Sequence, residues 1–384
     1  MSERGQRILL AGGGHSHVEV LRRFALQPDA TIALTLISPD PATVYSGMLP
    51  GLVAGHYTPT EAHISLAPLA QWAGARFVCD RIVELDLYTK TALLASGDRE
   101  AFDFISVDVG SLPDMTARGA REHALGVKPV ERFLDASDLL RAEALAGHVQ
   151  TIAVVGGGAG GVEVLLAMQY RLHALMGASA PRFALVTDQS QVLPQHPRMI
   201  RTRFGRLLVE RGVVLHLSSG VTAMEAGTLI VAHGRRVAAD RVVWATSAAA
   251  QPWMAASGLA CDERGFILLD AHLRSPSHPF VFAAGDCAGQ PAHPRPKSGV
   301  FAVRQGPPLA ANLRCAVRKQ PLATYTPQRA SLALISTGGK HALASRGPFA
   351  IEGDWVWRWK DRIDRRFVAR YIPPVSQPAA SASD

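Results

Sequence analysis

The sequence predicts an α/β protein with two Rossmann-like dinucleotide-binding domains and a C-terminal cap. Two observations lead to this fold class. An apolar run that ends in three glycines occurs twice, with the glycines at 12–14 and at 156–158. Each is followed by a helical pattern and by a second apolar run, which is the order of a βαβ unit. The segments beyond the two units also recur in the same order.

The first unit begins with the apolar run 7–11. A helical pattern follows the glycines, with His17, Val18 and Leu21 among its inward positions, and residues 32–37 form the second run. Because the apolar positions change from a continuous run to helical spacing and back, the segment predicts strand, helix and strand.

The second unit repeats this order and then continues as the first one does. Its strands are predicted at 151–155 and 183–187, with a helix over 162–176. Later in the chain, 91–97 matches 228–234, Asp103 matches Asp240, and 104–109 matches 241–245. A repeat of this length favours two homologous dinucleotide-sized domains over chance.

A third block lies outside both copies. It contains a short buried strand at 279–286, a helix over 298–313, a strand at 332–336 and a segment rich in Trp and Arg. The Pro/Ala/Ser-rich end is predicted to be disordered. The resulting division is 1–118 and 259–325 for the first domain, 119–258 for an inserted domain, 326–372 for the cap and 373–384 for the tail.

Composition narrows the functional classes. Of the 384 residues, 48% are hydrophobic and 19% are charged, as in a compact globular protein. No apolar stretch is long enough to span a bilayer, and the polar start shows no signal peptide, so a cytoplasmic protein is expected. The net charge of +8 favours anionic partners, but no nucleic-acid-binding motif is present. The four cysteines form no close pair, which argues against a metal site and against a redox dithiol.

The two glycine loops are the strongest chemical signal. The second is a complete GxGxxG built from Gly156, Gly158 and Gly161, between a strand and a helix. Such a loop lets backbone approach a pyrophosphate, which the helix N-terminus then stabilises. The first loop keeps Gly12 and Gly14 but has His17 at the third position. A glycine-rich turn without a ligand is the alternative interpretation.

Neither second strand ends in the acidic residue that usually binds ribose hydroxyls. Ser38 stands there in the first copy, with Asp40 nearby, and Thr187 stands there in the second, followed by Asp188. The sequence therefore leaves the choice between NADH and NADPH open.

Together these residues resemble the pyridine nucleotide-disulfide oxidoreductase superfamily, and within it type II NADH dehydrogenases and sulfide:quinone reductases. The likeness covers about residues 5 to 370 and includes the Gly-Asp that ends at Asp286. A narrower resemblance, to the flavoprotein module associated with selenophosphate synthetase, rests on residues 12–19, 45–51 and 299–306.

The resemblance implies FAD in the first domain and NADH or NADPH in the second. It implies that Gly12 and Gly14 bind the FAD pyrophosphate and that Asp286 binds its ribityl chain. Residues 45–50 would line the isoalloxazine ring. The cofactor-binding residues expected on this basis are Gly12, Gly14, His15, Ser38, Met48, Leu49, Pro50, Gly285 and Asp286 for FAD, and Gly156, Gly158 and Gly161 for the nicotinamide nucleotide.

Two residues are catalytic candidates by the same resemblance. Lys297 would lie with a helix N-terminus beside the flavin N1/O2 edge, where positive potential raises the flavin potential. Glu163 would move protons near the flavin. The alternatives are a solvated lysine and a carboxylate that caps its own helix.

The expected reaction takes hydride from NAD(P)H through flavin and passes two electrons to an acceptor, with a quinone as the first choice. The Gln pair of the type II enzymes is replaced here by Val300 and Arg304, with Gln305 adjacent. Cys287 is close to Asp286 but is most simply a packing residue. A sulfur- or selenium-handling flavoenzyme and a slow flavin-bearing regulatory subunit remain alternatives.

The last helical segment has aromatic residues at every fourth position and many arginines. An aromatic face with a basic rim is typical of a helix that lies on an anionic membrane, which would place the protein at the inner face of that membrane. Packing on the protein's own core or in a homodimer is the slightly favoured alternative. The residues at every fourth position are Trp355, Trp359, Ile363, Phe367 and Tyr371, and the arginines are Arg358, Arg362, Arg365, Arg366 and Arg370.

Overall fold

Two five-stranded parallel sheets organise the chain in a computed structural model that describes residues 5–328, 331–347 and 349–374. The first sheet has the order β21–β9–β1–β2–β5 and the second the order β11–β18–β12–β13–β14, with the bounds given below. Both sheets confirm the predicted α/β class. From residue 375 on, the tail that was predicted to be disordered lies outside the described residues.

The first part of the chain contains a parallel βαβ unit followed by an antiparallel three-stranded sheet of β6, β7 and β8. Its elements are β1 Gln6–Ala11, α1 His15–Leu26, β2 Ile32–Ser38, β3 Ala42–Val44, α2 Leu49–Ala54, α3 Pro59–Ala62, β4 His63–Ser65, α4 Leu66–Trp72, β5 Arg76–Cys79, β6 Ile82–Asp86, β7 Thr91–Leu94, β8 Arg99–Ala101, β9 Phe104–Val107 and β10 Leu112–Pro113.

The middle part repeats this arrangement with β12, β13 and β18 in the places of β1, β2 and β9, and with β15, β16 and β17 as the antiparallel sheet. The elements are α5 Ala120–His123, β11 Ala124–Gly126, α6 Val130–Leu145, β12 Thr151–Val155, α7 Ala159–Met176, β13 Arg182–Val186, α8 Arg198–Glu210, β14 Val214–His216, β15 Val221–Glu225, β16 Thr228–Val231, β17 Arg236–Ala238, β18 Arg241–Trp244, β19 Ala248–Ala249 and α9 Pro252–Ala256.

The last part returns to the first sheet and then forms the cap. Its elements are β20 Ile267–Leu268, β21 Val281–Ala283, β22 Ala288–Gly289, α10 Gly299–Val317, β23 Ala333–Ser336, β24 Ala342–Arg346, β25 Phe349–Gly353 and α11 Asp354–Ala369.

Strand β21 completes the first sheet although it lies far along the chain. It pairs in parallel with β9, with Val281 opposite Ile105 and Ala283 opposite Val107. Since Val281–Ala283 and their partner residues 105–107 are buried, the pairing adds apolar contacts as well as hydrogen bonds. Its consequence for the site is that Gly285 and Asp286, which follow β21, reach the carboxyl end of the first sheet.

The cap joins the cores of the two halves. Ile335 and Leu343 belong to the core of the second half, whereas Ala344, Val356 and Phe367 belong to the core of the first. Strand β23 also contacts α7. The cap is therefore positioned to contribute side chains between the two glycine loops.

The sequence analysis placed the aromatic positions of the last helical segment on one face, and the structure of helix α11 shows that this interpretation is wrong. The side chains of Trp355 and Trp359 are 50% and 39% exposed, and that of Ile363 is also exposed, whereas Phe367 and Tyr371 are buried. The buried side of the helix consists of Val356, Trp357, Lys360, Asp364, Phe367 and Val368. A four-residue spacing drifts around a helix of 3.6 residues per turn, so the aromatic positions pass from solvent into the core.

Candidate functional site

The first glycine loop brings backbone into close contact with the end of β9. Gly12 has φ of 95°, and a Cβ there would lie 2.5 Å from the carbonyl oxygen of Asp108. The conformation and the contact both require glycine. Helix α1 begins directly after the loop at His15, with Gly14 as its N-cap. The loop therefore leads directly into a helix N-terminus, which is the kind of site that binds a pyrophosphate, although the carboxyl of Asp108 bonds to the first turn of this helix.

His17 replaces the third glycine by making hydrogen bonds of its own. Its Nδ1 lies 2.6 Å from the carbonyl oxygen of Gly12, and its Nε2 lies 2.8 Å from Ser106 Oγ. In the second copy, a Cβ at Gly161 would lie only 2.1 Å from the Gly156 carbonyl oxygen. Burial lowers the pKa of His17 to about 4, so its ring is neutral. The substitution thus keeps a contact between helix and loop, through a side chain instead of close backbone packing.

Asp108 is a functional candidate that the sequence analysis missed. Its Oδ2 accepts hydrogen bonds from the N–H groups of Ser16, at 2.8 Å, and His17, at 3.3 Å, in the first turn of α1. Burial raises its pKa to about 7, against the opposing effect of these two bonds. The matching residue of the second copy is Ala245, which contacts Gly156 as Asp108 contacts Gly12. The sequence feature that could have indicated Asp108 is a carboxyl at the end of an apolar strand.

Asp286 is held by residues from three parts of the chain. Lys128 Nζ donates to its Oδ2 over 2.6 Å and to Ser111 Oγ over 2.9 Å. Gln305 Oε1 accepts the N–H of Gly285 at 2.7 Å. Lys128 precedes α6 in the second half, so nothing in the sequence placed it beside Asp286. The cluster orients a carboxylate and an ammonium at the point where a ribityl chain and a pyrophosphate are expected.

Residues 45–50 form the segment expected beside the isoalloxazine. The Tyr45 ring stacks on Phe367 of α11, with ring centres 4.1 Å apart, and His15 lies against both rings. The N–H of Ser46 donates to His15 Nε2 at 3.3 Å. Burial lowers the pKa of His15 to about 4. The buried residues Met48, Leu49 and Pro50 follow and begin α2. The segment is therefore rigid and largely apolar.

Glu163 lies in the first turns of α7, and residues of the cap surround its side chain. Its Oε1 accepts the N–H of Ser336 at 2.7 Å. Burial raises its pKa to about 7, the nearby Lys360 acts against this shift, and Asp364 adds to it. The carboxyl therefore bonds to the cap, not to its own helix as the capping alternative expected. A group with this pKa can hold or release a proton at neutral pH.

Lys360 and Asp364 form a buried pair one helical turn apart on α11. Lys360 Nζ donates to Asp364 Oδ2 and also to the carbonyl oxygen of Gly47 in the segment beside the isoalloxazine position. Both side chains are at least nine-tenths buried. The sequence analysis missed this pair because a lysine in a basic helix looks like a surface residue. The pair links Glu163 to residues 45–50.

Lys297 is directed away from open solvent. Its Nζ donates to the carbonyl oxygen of Ala288 at 2.5 Å and lies 4.0 Å from the centre of the Phe266 ring. Burial lowers its pKa. This environment does not fit the solvated-lysine alternative. Helix α10 begins two residues later, at Gly299, as the sequence predicted.

Cys287 is a packing residue in this structure. It is fully buried, and its Sγ donates to the carbonyl oxygen of Ala284 at 3.1 Å. Burial raises the pKa of its thiol to about 12. Since the thiolate is the reactive form of cysteine, the side chain is inert at neutral pH.

The second glycine loop leaves its helix N-terminus open. A Cβ at Gly158 would meet nothing within 4 Å, whereas a Cβ at Gly157 would touch Thr187. Thr187 is buried at the end of β13, and its hydroxyl lies 3.4 Å from Asp188 Oδ1. The loop therefore has room for a pyrophosphate, and Ser38 and Thr187 occupy matching places in the two copies.

The donor set fits two dinucleotides and gives no support for a metal. No group of three or more His, Cys, Asp or Glu side chains that could hold a metal ion occurs in the described ranges. Within the same ranges, no helix is both long and apolar enough to cross a bilayer.

Three relatives place these features among known proteins. The chain is 25% identical over 236 residues to an NADH dehydrogenase-like protein of Mycobacterium tuberculosis, covering 60% of this chain and 59% of that protein. It is 26% identical over 223 residues to a type II NADH:quinone oxidoreductase of Haemophilus influenzae, covering 52% and 50%. The chain thus spans less than two thirds of the length of either relative.

The fold is also that of a sulfide:quinone oxidoreductase from Aquifex aeolicus, with a TM-score of 0.80 at 18% identity, over 96% of this chain and 91% of that one. The model of the pyridine nucleotide-disulphide oxidoreductase family matches residues 10–306. The chain therefore belongs to the pyridine nucleotide-disulphide oxidoreductases.

Proposed function

We propose that the protein passes two electrons from NADH or NADPH through FAD to a quinone. Family membership confirms an oxidoreductase that uses FAD and a pyridine nucleotide. The acceptor and the preferred nucleotide are the proposed parts. The quinone is proposed because proteins similar to this chain include a type II NADH:quinone oxidoreductase and a sulfide:quinone oxidoreductase. The link to selenophosphate synthesis stays a prediction.

One observation supports the proposal above the others. The partly buried Glu163 follows the second glycine loop and has Lys360 and Asp364 nearby, and Lys360 bonds to Gly47 in the segment at 45–50. Two-electron reduction of a quinone also consumes protons. The site therefore needs a proton donor that is shielded from bulk water. A carboxyl with a pKa of about 7 meets that need.

Different residues of the chain have different roles in the proposed electron transfer. The N-termini of α1 and α7 would each bind one pyrophosphate, and Asp286 with Lys128 would hold the ribityl side of FAD. Bound FAD supplies the two-electron redox chemistry. Tyr45, Phe367 and the buried residues 48–50 exclude water around it. Glu163 holds the proton at its carboxyl, and the Lys360 ammonium stabilises the carboxylate that remains when the proton leaves.

The test is anaerobic reduction of the purified FAD-containing protein by NADH, NADPH, sulfide and selenide in separate cuvettes, followed by a soluble quinone. Either nucleotide should bleach the 450 nm band, and the quinone should restore it. Glu163→Gln should leave the bleaching step unchanged and slow the quinone step. Bleaching by sulfide or selenide, with both nucleotides inactive, would contradict the proposal and favour the sulfur- or selenium-handling alternative.

We further propose that α11 contacts an anionic membrane, where a quinone is dissolved. Trp355, Trp359 and Ile363 are exposed on one side of the helix. Arg358, Arg362 and Arg366 each lie three positions after one of these residues, and all three are exposed. Phe349 and Ile351 on the neighbouring hairpin are also exposed. Apolar side chains beside a basic row suit a helix that lies in the headgroup region.

Co-sedimentation with vesicles tests this contact. The chain should bind vesicles that contain phosphatidylglycerol, more weakly at high salt, and Trp355→Ala/Trp359→Ala should weaken binding. Leu139→Ala is the matched control, because Leu139 is exposed on α6 in the second half. Equal binding by both variants and the parent protein would remove the membrane contact from the proposal. A homodimer built on the same face would show as a change in molecular mass for the double variant.

A further inference from the structure

A cavity beside α1 and α10 has four arginines among its lining residues. It encloses about 550 Å³ between these helices, residues 325–328 and the end of α11. The four arginines are Arg22, Arg23, Arg304 and Arg370, and Glu19 is the only carboxylate among the lining residues. The proposed reaction uses none of these side chains.

Glu19 neutralises one side of the cavity. Its Oε1 lies 2.7 Å from Arg23 Nε and 3.8 Å from Arg22 Nη1, and its Oε2 accepts the hydroxyl of Tyr371 at 3.2 Å. The carboxylate is thus fully engaged by its own surroundings.

Arg304 and Arg370 also line the cavity, and neither has an ion pair within 4 Å among residues 5–328, 331–347 and 349–374. By contrast, Arg203 of α8 and Arg365 of α11 each pair with a carboxylate. Two unpaired guanidinium groups at one cavity create a positive potential that a dianion would match, whereas a carboxylate would match one of them.

Some polar atoms of the lining residues make no hydrogen bond within the described part of the chain. The hydroxyl of Tyr325 and both polar atoms of the Gln328 amide are buried, with no hydrogen-bond partner in the described part of the chain. Buried polar groups without partners are rare and costly in folded proteins. Val303, Pro307 and the rings of Tyr325 and Tyr371 provide apolar surface beside the polar groups.

We infer that this cavity is a binding site for a small molecule that carries a phosphate group. The guanidinium groups of Arg304 and Arg370 bind the phosphate oxygens, and Tyr325 and Gln328 supply hydrogen bonds to the rest of the ligand. The volume exceeds that of one phosphate, so an organic phosphate fits. The same chemistry is offered by a soluble phosphoester and by a phospholipid headgroup.

The cavity also communicates with the proposed flavin environment. Tyr371 lies in its lining, and the Tyr371 ring contacts Phe367 with centres 5.0 Å apart. Phe367 in turn stacks on Tyr45. A bound phosphate ligand should therefore shift the flavin absorbance slightly, which gives a second readout besides affinity.

The experiment is calorimetric titration of the FAD-containing protein with inorganic phosphate and with glycerol 3-phosphate, at constant ionic strength. Arg304→Gln and Arg370→Gln should each weaken binding by about tenfold, the usual effect of losing one charged hydrogen bond. Arg206→Gln is the control, because Arg206 is exposed on α8 and lies outside the cavity. Circular dichroism verifies that each variant is folded.

Two further arms separate the ligand sources and the competing site. If soluble phosphates do not bind, phosphatidylglycerol vesicles should bind the parent protein better than Arg304→Gln, which identifies a lipid headgroup as the ligand. If phosphate affinity instead falls in Gly158→Val and is unchanged in Arg304→Gln, the anion occupies the second glycine loop, and the inference is wrong. Absence of binding in all arms overturns it as well.

Discussion

Replacing Glu163 by glutamine gives the sharpest test of the site. The substitution keeps the shape of the side chain and the oxygen that accepts the Ser336 N–H. It removes the titration. Because burial raises the pKa of the wild-type carboxyl, with Lys360 and Asp364 nearby, its removal should change how the free energy of unfolding depends on pH.

The magnitude follows from the shift in pKa. The carboxyl has an ordinary pKa of 4.5 and a folded-state pKa of about 7. Between these values the folded protein keeps the proton and the unfolded chain has lost it, so stability falls as pH rises. Each pH unit in this window costs about 1.4 kcal/mol, which amounts to about 3 kcal/mol from this group. Below the unfolded pKa and above the folded pKa its contribution is constant.

The assay is urea unfolding between pH 5 and pH 8 with FAD in fixed excess, followed by circular dichroism. Asp108 titrates in the same window in both proteins, so the difference between them isolates Glu163. We expect Glu163→Gln to lose less stability than the wild type by about 3 kcal/mol across the range. The exposed Glu263→Gln should follow the wild type. Parallel curves for Glu163→Gln and wild type would show that the carboxyl titrates normally and would refute its role as a proton carrier at neutral pH.

Three other outcomes follow from the site. Asp286→Ala should release most of the FAD on gel filtration, because Lys128 and Ser111 lose their shared partner, and Asp188→Ala should retain it. Gly158→Val should abolish reduction by nicotinamide nucleotides while FAD stays bound, since the space there is free of protein atoms. By contrast, Gly161→Val should also lower the melting temperature, because its Cβ meets the Gly156 carbonyl. Cys287 should resist a thiol reagent in the native protein and react only after unfolding, given its burial and raised pKa; rapid native labelling would contradict its packing role.

The repeat carried most of the information about the fold. Glycine positions, apolar runs and returning strands follow from local backbone preferences and from period, so two similar units could be recognised by comparing the chain with itself. The observed β12 and α7 lie within a few residues of the predicted strand and helix. Helix α10 was predicted to end at 313 but continues to Val317, and its two internal prolines follow Gly306.

Only part of the candidate site could be predicted from local sequence patterns. Gly12, Gly158 and Asp286 belong to local motifs, and their residue types indicate the chemistry of cofactor binding. Lys128 and the Lys360–Asp364 pair carry no local signature, since each acquires its significance from a partner far away in the chain. Asp108 gave only the signal of a carboxyl after an apolar strand, and its hydrogen bonds to α1 also come from a distant part of the chain. A sequence pattern reports which residues share a helix face or a turn, but not which distant side chains meet.

The sequence by itself thus determined the two glycine loops, the order of the elements and the family to which they point. Only the tertiary structure decided which carboxyls are buried, which cations are paired and which half of α11 faces solvent. The physical reason is that burial and charge pairing are properties of the whole packed chain. Glu163 and Arg304 are both ordinary ionisable residues in the sequence, and their different surroundings make one a candidate proton carrier and the other a candidate phosphate ligand.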